Sequence, residues 1–214
     1  MQQTDHNFSF MVIDVETLPD TLTPELEKCL EHKVRNVPED KKETEKLHYR
    51  FHEPQFTRIC CIGTIYCDSK GNVYEKVFFS RTDECQIVTE FFNYISQFKG
   101  KFVHYNGLDF DVPLLLYKAL QHNVQPPQRF CNLTRFRTDP HYDIMQVLAA
   151  WGRFKISLSE ALYSLGLKNS KEELHGKDTL TFMQQATDEE IQTYNLEDCR
   201  SEFDLFKRVY EVYQ

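Results

Sequence analysis

"FMVIDVETLP", residues 10–19, decides how this chain folds. Its β-branched and aromatic run reads as a buried strand over about residues 8–15, with Asp14 and Glu16 two positions apart at its end. Strand side chains alternate faces, so the two acids point the same way. Carboxylates side by side repel unless a positive charge separates them. The stretch calls for a cation. Taken alone, the pair also fits the exposed end of a strand, where acids are ordinary. "DEE" at 188–190 repeats the spacing as helix-start chemistry.

Working outward, residues 18–56 are polar, with helical signals after Thr23-Pro24 and the charge run "PEDKKETEK", and read as an insertion. "RICCIGTIYC" and "NVYEKVFFS" are β-branched and aromatic and are joined by "DSKGN", the pattern of a hairpin, so the sheet begins antiparallel. "DECQIVTEFFNYISQF" has helical spacing and an acidic start; Gly100 stops it before the short strand "KFVHYN", and the helix "PLLLYKALQHN" follows. The last third reads as all helix: "YDIMQVLAAW", "SLSEALYSLG" and a final helix over about 188–212, with Thr187 and Glu190 as its capping box. This order predicts an α/β fold, a mixed sheet flanked by helices in a ribonuclease-H-like arrangement.

With 214 residues, 41% hydrophobic, the chain is long enough for a sizeable core and is expected to form one domain over 1–214. It shows neither a signal peptide nor an apolar run long enough to span a membrane. Seven cysteines are scattered without a CxxC pair, and Cys60, Cys61 and Cys67 fall in a strand pattern; core thiols in a reducing, cytoplasmic setting are the simplest account. A net charge of −8 argues against a protein that coats nucleic acid by charge alone. It leaves a nuclease open, because a metal site gathers acids while local basic groups hold phosphates. Arg129, Arg135 and Arg137 in "RFCNLTRFRTD" offer such groups, or else a solvated loop.

Two further constellations complement the strand acids. In "HYNGLDFDVPLL", 104–115, a strand ends, the chain turns and Asp111 stands at the mouth of the next helix, either as its N-cap or as a ligand; Asp109 competes with it. A polar group just past a strand's carboxyl end lies where α/β sheets bind ligands. In "TYNLEDCR", Tyr194 and Asp198 are four apart and share a helical face, where a phenol and a carboxylate could orient a water or simply bond each other. Asp143, in "HYDIM", reads as an N-cap or as support behind the site. A separate reading takes His48, His52 and Glu53 as a metal centre; no third spaced ligand is evident, and a solvated helix face is the simpler account.

Together, Asp-x-Glu, Asn-x-x-x-Phe-Asp and Tyr-x-x-x-Asp occur in order. This set resembles the DEDD superfamily of 3′–5′ exonucleases, in its tyrosine branch. Thr193 stands where the histidine branch carries its histidine. "IDVETLP", "HYNGLDFDVPLL", "HYDIMQVL" and "NLEDC" are similar to stand-alone exonucleases related to the proofreading domain of family-B DNA polymerases, in register over about residues 10–210. Asp109, where a small residue is expected, and the 18–56 insertion depart from the pattern.

The resemblance implies two divalent ions, Mg²⁺ or Mn²⁺, held by Asp14, Glu16, Asp111 and Asp198, with Tyr194 orienting the attacking water. It implies that Thr17, Leu18, Asn106 and Phe110 meet the substrate, the 3′ end of single-stranded DNA or RNA, and that a nucleoside 5′-monophosphate is released. Read on its own, Leu18 is ordinary core. No polymerase region accompanies the exonuclease motifs, so a proofreading or repair role calls for a partner. The competing class is a catalytically silent nucleic-acid-binding or interaction domain, against which the retention of all four acids and the tyrosine argues.

Overall fold

A computed structural model describes residues 8–169 and 179–213. At its centre is β1, Phe10–Pro19, which runs past the expected end near residue 15 because Thr17 and Leu18 are buried and keep pairing with the next strand. β2 (Thr57–Cys67) lies antiparallel to β1 and forms the expected hairpin with β3 (Val73–Phe79). Asp68 holds that turn, its Oδ1 accepting the Lys70 and Asn72 amides at 2.9 Å. On the other side β1 pairs parallel with β4 (Lys101–His104), and β4 pairs parallel with β5 (His141–Asp143), giving the order β3-β2-β1-β4-β5.

β5 corrects the sequence reading, in which helix covered this stretch. Its three residues are strand because β4 offers them an open edge, not because of their own pattern; the helix α5, Ile144–Leu148, starts only after Asp143. The mixed sheet with helices on both faces is the ribonuclease-H-like architecture expected from the element order.

α1 (Pro24–Lys33) and α2 (Lys42–His52) form from the charged 18–56 segment. α3 (Glu84–Ile95) and α4 (Asp111–Gln121) cover one face of the sheet, where Met11, Ile13 and Val15 pack with Val88, Phe91, Leu114 and Leu115. α6 (Leu158–Ser164) and α8 (Asp188–Tyr213) cover the other, where Phe10 and Val12 meet Leu205, Phe206 and Val209. α7 is Thr179–Gln185. Leu18 packs with Phe51 of α2, Met183 of α7 and Ile191 of α8. The α8-facing side of β1 thus reads Phe10, Val12, Asp14, Glu16, Leu18: two acids between apolar ends. Each end is worth several kcal/mol at about 1.5–3 kcal/mol per buried side chain, enough to seat the helix over the polar middle.

The α8 capping box is formed as expected, with Thr187 Oγ1 accepting the Glu190 amide at 3.3 Å and Glu190 Oε2 accepting the Thr187 amide at 2.7 Å. All seven cysteines are free thiols, and Cys60, Cys61, Cys67 and Cys199 are buried. Among the described residues no helix is long and apolar enough to cross a membrane.

His104 and His141 are buried on adjacent strands. His141 Nε2 lies 2.9 Å from the Phe130 carbonyl and must donate to it, so His141 Nδ1 accepts from His104 Nε2–H, also at 2.9 Å. His141 is therefore neutral. Burial pushes His104 well below the usual imidazole value, and drives His141 down to about 4 against the pull of the Phe130 bond. As pH falls below ~6.5 the unfolded chain protonates these rings and the folded chain does not, so stability is lost by up to roughly 1.4 kcal/mol per pH unit per ring. Asp111, Asp143 and Glu202, whose carboxyls are raised by burial, work in the opposite sense, since the folded chain keeps their protons to higher pH. A His141→Gln variant retains those acids. Its stability deficit against the unmodified chain, measured by urea unfolding, should shrink by about 1 kcal/mol per unit as pH drops from ~6.5; a constant deficit would show that His141 titrates alike in both states.

Candidate active site

Asp14 lies opposite Gly63 of β2. A Cβ at Gly63 would fall 2.0 Å from Asn195 Oδ1 and 2.9 Å from Cys199 Sγ, so the missing side chain is what lets α8 settle onto the sheet. Asn195, fully buried, uses that approach: its Nδ2 donates to Asp14 Oδ2 at 2.7 Å while its Oδ1 accepts from the Cys61 thiol at 3.5 Å. One turn further along α8, Asp198 brings its carboxylate to the strand acids. Ligand oxygens of Asp14, Glu16 and Asp198 all lie within 4.8 Å of one another, and among the described residues no other three potential metal ligands cluster in this way.

Two residues past Asp14, a bulge on β2 leaves Cys60 without a partner, because Glu16 pairs with Cys61 and Thr17 with Ile59. Cys60 and Cys61 are consequently both buried, in the apolar cluster beneath Leu18. Burial, followed by the charge of Glu16, pushes the Cys60 thiol up to about 12, which keeps it protonated.

Asp111 is the first residue of α4; Phe110 precedes the helix without a side-chain cap. Its carboxyl, 5% exposed, takes the Val15 amide, and burial together with the charge of Asp14 raises it well above the usual carboxylate range. Asp109 is exposed on the wall between the site and its neighbouring loops: it accepts from Gln146 Nε2 at 2.9 Å and lies 4.0 Å from Arg135. Asp143 is both cap and brace. Its carboxylate accepts the amides of Gln146 at 3.1 Å, Asn106 at 3.1 Å and Leu108 at 3.0 Å, fixing the loop that leads to Asp111. Tyr194 is buried one turn before Asp198, its ring 5.0 Å from that of Phe182.

Beside Glu16 opens a cleft of ≈ 370 Å³ lined by Glu16, Thr17, Phe51, His52, Asn106, Asp109 and Phe110, among others. The 18–56 segment thus forms one of its walls, fastened by the Thr17 hydroxyl donating to the Phe51 carbonyl at 2.9 Å. Leu18 does not line the cleft; it is packed below it. His48 and His52 stack at 4.2 Å, His52 Nδ1 bonds the His48 carbonyl, and Glu53 pairs with Lys33, so these three side chains face different partners.

A family described as a predicted 3′–5′ exonuclease related to the exonuclease domain of PolB matches residues 49–213. The chain belongs to this exonuclease family. Its fold is similar to that of the family B DNA polymerase from the hyperthermophilic archaeon Pyrobaculum calidifontis, with a TM-score of 0.61 and 18% identity over 95% of this chain and 24% of the polymerase. A product-bound exonuclease I gives 0.53 and 12% over 94% of this chain and 43% of that one. Exonuclease I of E. coli in complex with a dT13 oligonucleotide gives 0.53 and 11% over 96% and 43%. The chain spans less than half the length of these proteins, and the likeness is one of fold. No curated protein matches the sequence.

Three residues at this site escaped the sequence reading. Gly63 and Asn195 act only as a pair, and nothing local marks either. Glu202 could have been found, since it lies four residues after Asp198 and therefore on the same helical face. It is 3% exposed, its Oε2 has no hydrogen-bond partner among the described residues, and burial followed by the charges of Asp14 and Asp111 holds its carboxyl well above the ordinary range.

Gly63→Ala should lower unfolding free energy by about 1–3 kcal/mol through overpacking. It should also weaken the stabilisation given by added Mn²⁺, because Asn195 must release Asp14. Thermal unfolding with and without Mn²⁺ reads both effects; behaviour identical to the unmodified chain would show that α8 does not depend on this close approach.

Proposed function

We propose that this chain is a single 3′–5′ exonuclease domain that removes nucleoside 5′-monophosphates from the 3′ end of single-stranded DNA. The observation that carries the reading is the convergence of Asp14, Glu16 and Asp198 within 4.8 Å, with buried Asp111 beside Asp14, next to a cleft that Glu16 lines. The donors are all hard carboxylate oxygens, and burial followed by the charge of Asp14 raises the Asp111 carboxyl above the ordinary range; both features fit a divalent cation. Asp14, Glu16, Asp111 and Asp198 would hold two such ions, Mg²⁺ or Mn²⁺. When bound, they supply charge neutralisation at the scissile phosphate and a lowered pKa for the attacking water.

The remaining work falls to the chain itself. Asn195 fixes which oxygen of Asp14 faces the cleft, and Asp143 fixes the 106–108 backbone. Tyr194 orients the water rather than deprotonating it, since a phenol near pKa ~10 is a poor base at neutral pH. Thr17, Asn106 and Phe110 line the space for the terminal nucleotide, with His52 at its rim. Leu18 supports that wall from beneath. DNA is favoured over RNA by the polymerase-related family and by the oligothymidylate complex of the E. coli neighbour.

Asp14→Ala and Asp198→Ala should each slow degradation by roughly a thousandfold or more. Tyr194→Phe should cost about a hundredfold with metal binding preserved. Asp111→Ala should be more damaging than Asp109→Ala. A time course with 5′-labelled DNA and RNA of one sequence, in Mg²⁺, Mn²⁺ or EDTA, checks all five variants and the choice of sugar. Equal activity in Asp14→Ala would overturn the mechanism, and binding without cleavage under any condition would favour a silent domain.

A further inference from the structure

On the far side of Asp109 from the acid cleft lies a second hollow, of ≈ 320 Å³, lined by Leu108, Asp109, Leu133, Arg135, Phe136 and Trp151 among others. Asp109 belongs to the walls of both, so the two spaces adjoin. The rings of Phe136 and Trp151 stand 5.4 Å apart at 57°, and Phe136 is 71% exposed. Arg135, Arg137, Arg153 and Lys155, all exposed, lie in the same two loops.

The backbone here is unusual. Phe136, Ala150 and Trp151 have φ of 62°, 48° and 59°. The left-handed region costs an ordinary residue roughly 1–2 kcal/mol, and strain of this kind gathers at ligand-binding positions. Core packing does not account for it at Phe136, whose ring lies mostly in solvent. Exposed aromatics interleaved with arginines are the chemistry that holds single-stranded nucleic acid, with bases on rings and phosphates on cations. Local cations matter here, because a chain of net charge −8 with an acid cleft repels a polyanion unless the strand's path is lined with positive charge.

We propose that the Phe136–Trp151 hollow is a base-stacking subsite that holds the nucleotide on the 5′ side of the one in the acid cleft, with the neighbouring arginines on its phosphates. The proposal rests on the exonuclease reading above. It assigns a ligand to a loop that the catalytic motifs leave unexplained, and it makes binding depend on strand length rather than on sequence.

Trp151 is the single tryptophan of the chain, so its fluorescence reports the hollow directly. The experiment titrates the unmodified protein in Mg²⁺ with a labelled oligothymidylate of about a dozen nucleotides. Phosphorothioate linkages at its 3′ end resist hydrolysis, and dTMP serves as the short ligand. The expected result is quenching by the oligomer but not by dTMP. Phe136→Ala should weaken oligomer binding by about tenfold, judged by anisotropy, without changing dTMP binding. Oligomer binding with no quenching, or equal binding by Phe136→Ala, overturns the subsite. Degradation of an ordinary oligomer, followed in parallel, tells the two readings apart: a 3′–5′ ladder without quenching leaves the exonuclease standing and removes the subsite. Quenching without a ladder keeps the subsite and removes the exonuclease.

Discussion

Everything functional in this molecule depends on how closely α8 lies against β1 and β2. A helix can approach a sheet to this distance only where a side chain is missing, and Gly63 is that place. The approach lets Asn195 reach Asp14 and sets Asp198 one turn away, beside the strand acids. Apolar contacts hold the helix at both ends, Ile191 against Leu18 and Leu205, Phe206 and Val209 against Phe10 and Val12. Between them Arg200 grips Glu75 of β3 with two bonds, at 2.8 and 2.6 Å, which fixes the rotation of the helix about its axis. The polar centre is where it is because its flanks are not polar.

That centre is electrostatically expensive. Two unit charges 4 Å apart repel by about 4 kcal/mol at an effective dielectric of 20, a large share of the roughly 5–15 kcal/mol that keeps a domain folded. Burial, followed by the neighbouring charges, raises the carboxyls of Asp111 and Glu202 well above the ordinary range, which lowers the repulsion among the acids. The donors that orient the acids include neutral amides, Asn195 on Asp14 and the Val15 backbone on Asp111, which aim the oxygens without cancelling their charge. A divalent ion would complete what these amides prepare. Because carboxylates bind a metal in their deprotonated form, metal binding and pH would be coupled at this site.

Much of this was legible in the sequence, and the reason is periodicity. Asp14 and Glu16 share a face because strands alternate, Tyr194 and Asp198 because helices repeat, and the α8 cap because Thr187 and Glu190 stand three apart. β5 was not legible: three residues carry no period, and they are strand only because β4 pairs with them. The choice between Asp109 and Asp111 turned on where α4 begins, a matter of two residues that composition does not resolve. Gly63 and Asn195, and the bulge at Cys60, depend on contacts between positions far apart in the chain. Such contacts leave no local trace.

The walls of the cleft differ in stiffness for physical reasons. Asp143 pins the 106–108 loop with two backbone bonds and caps α5 with a third, and Phe51 anchors α2 in the core while His52 faces the opening. These surfaces are preformed, as positioning a single phosphodiester over fixed acids requires. Among the described residues, hydrogen bonds tie the loop around residues 150–155 only to the helix before it, Trp151 N–H to the Gln146 carbonyl at 2.7 Å and Arg153 N–H to the Ala149 carbonyl at 2.9 Å, and Arg135, Phe136, Arg137, Arg153 and Phe154 are exposed. Under the proposed function, each cleavage would present a new base, and a preformed seat for the reacting phosphate beside a sequence-blind hold on the bases behind it would meet both demands.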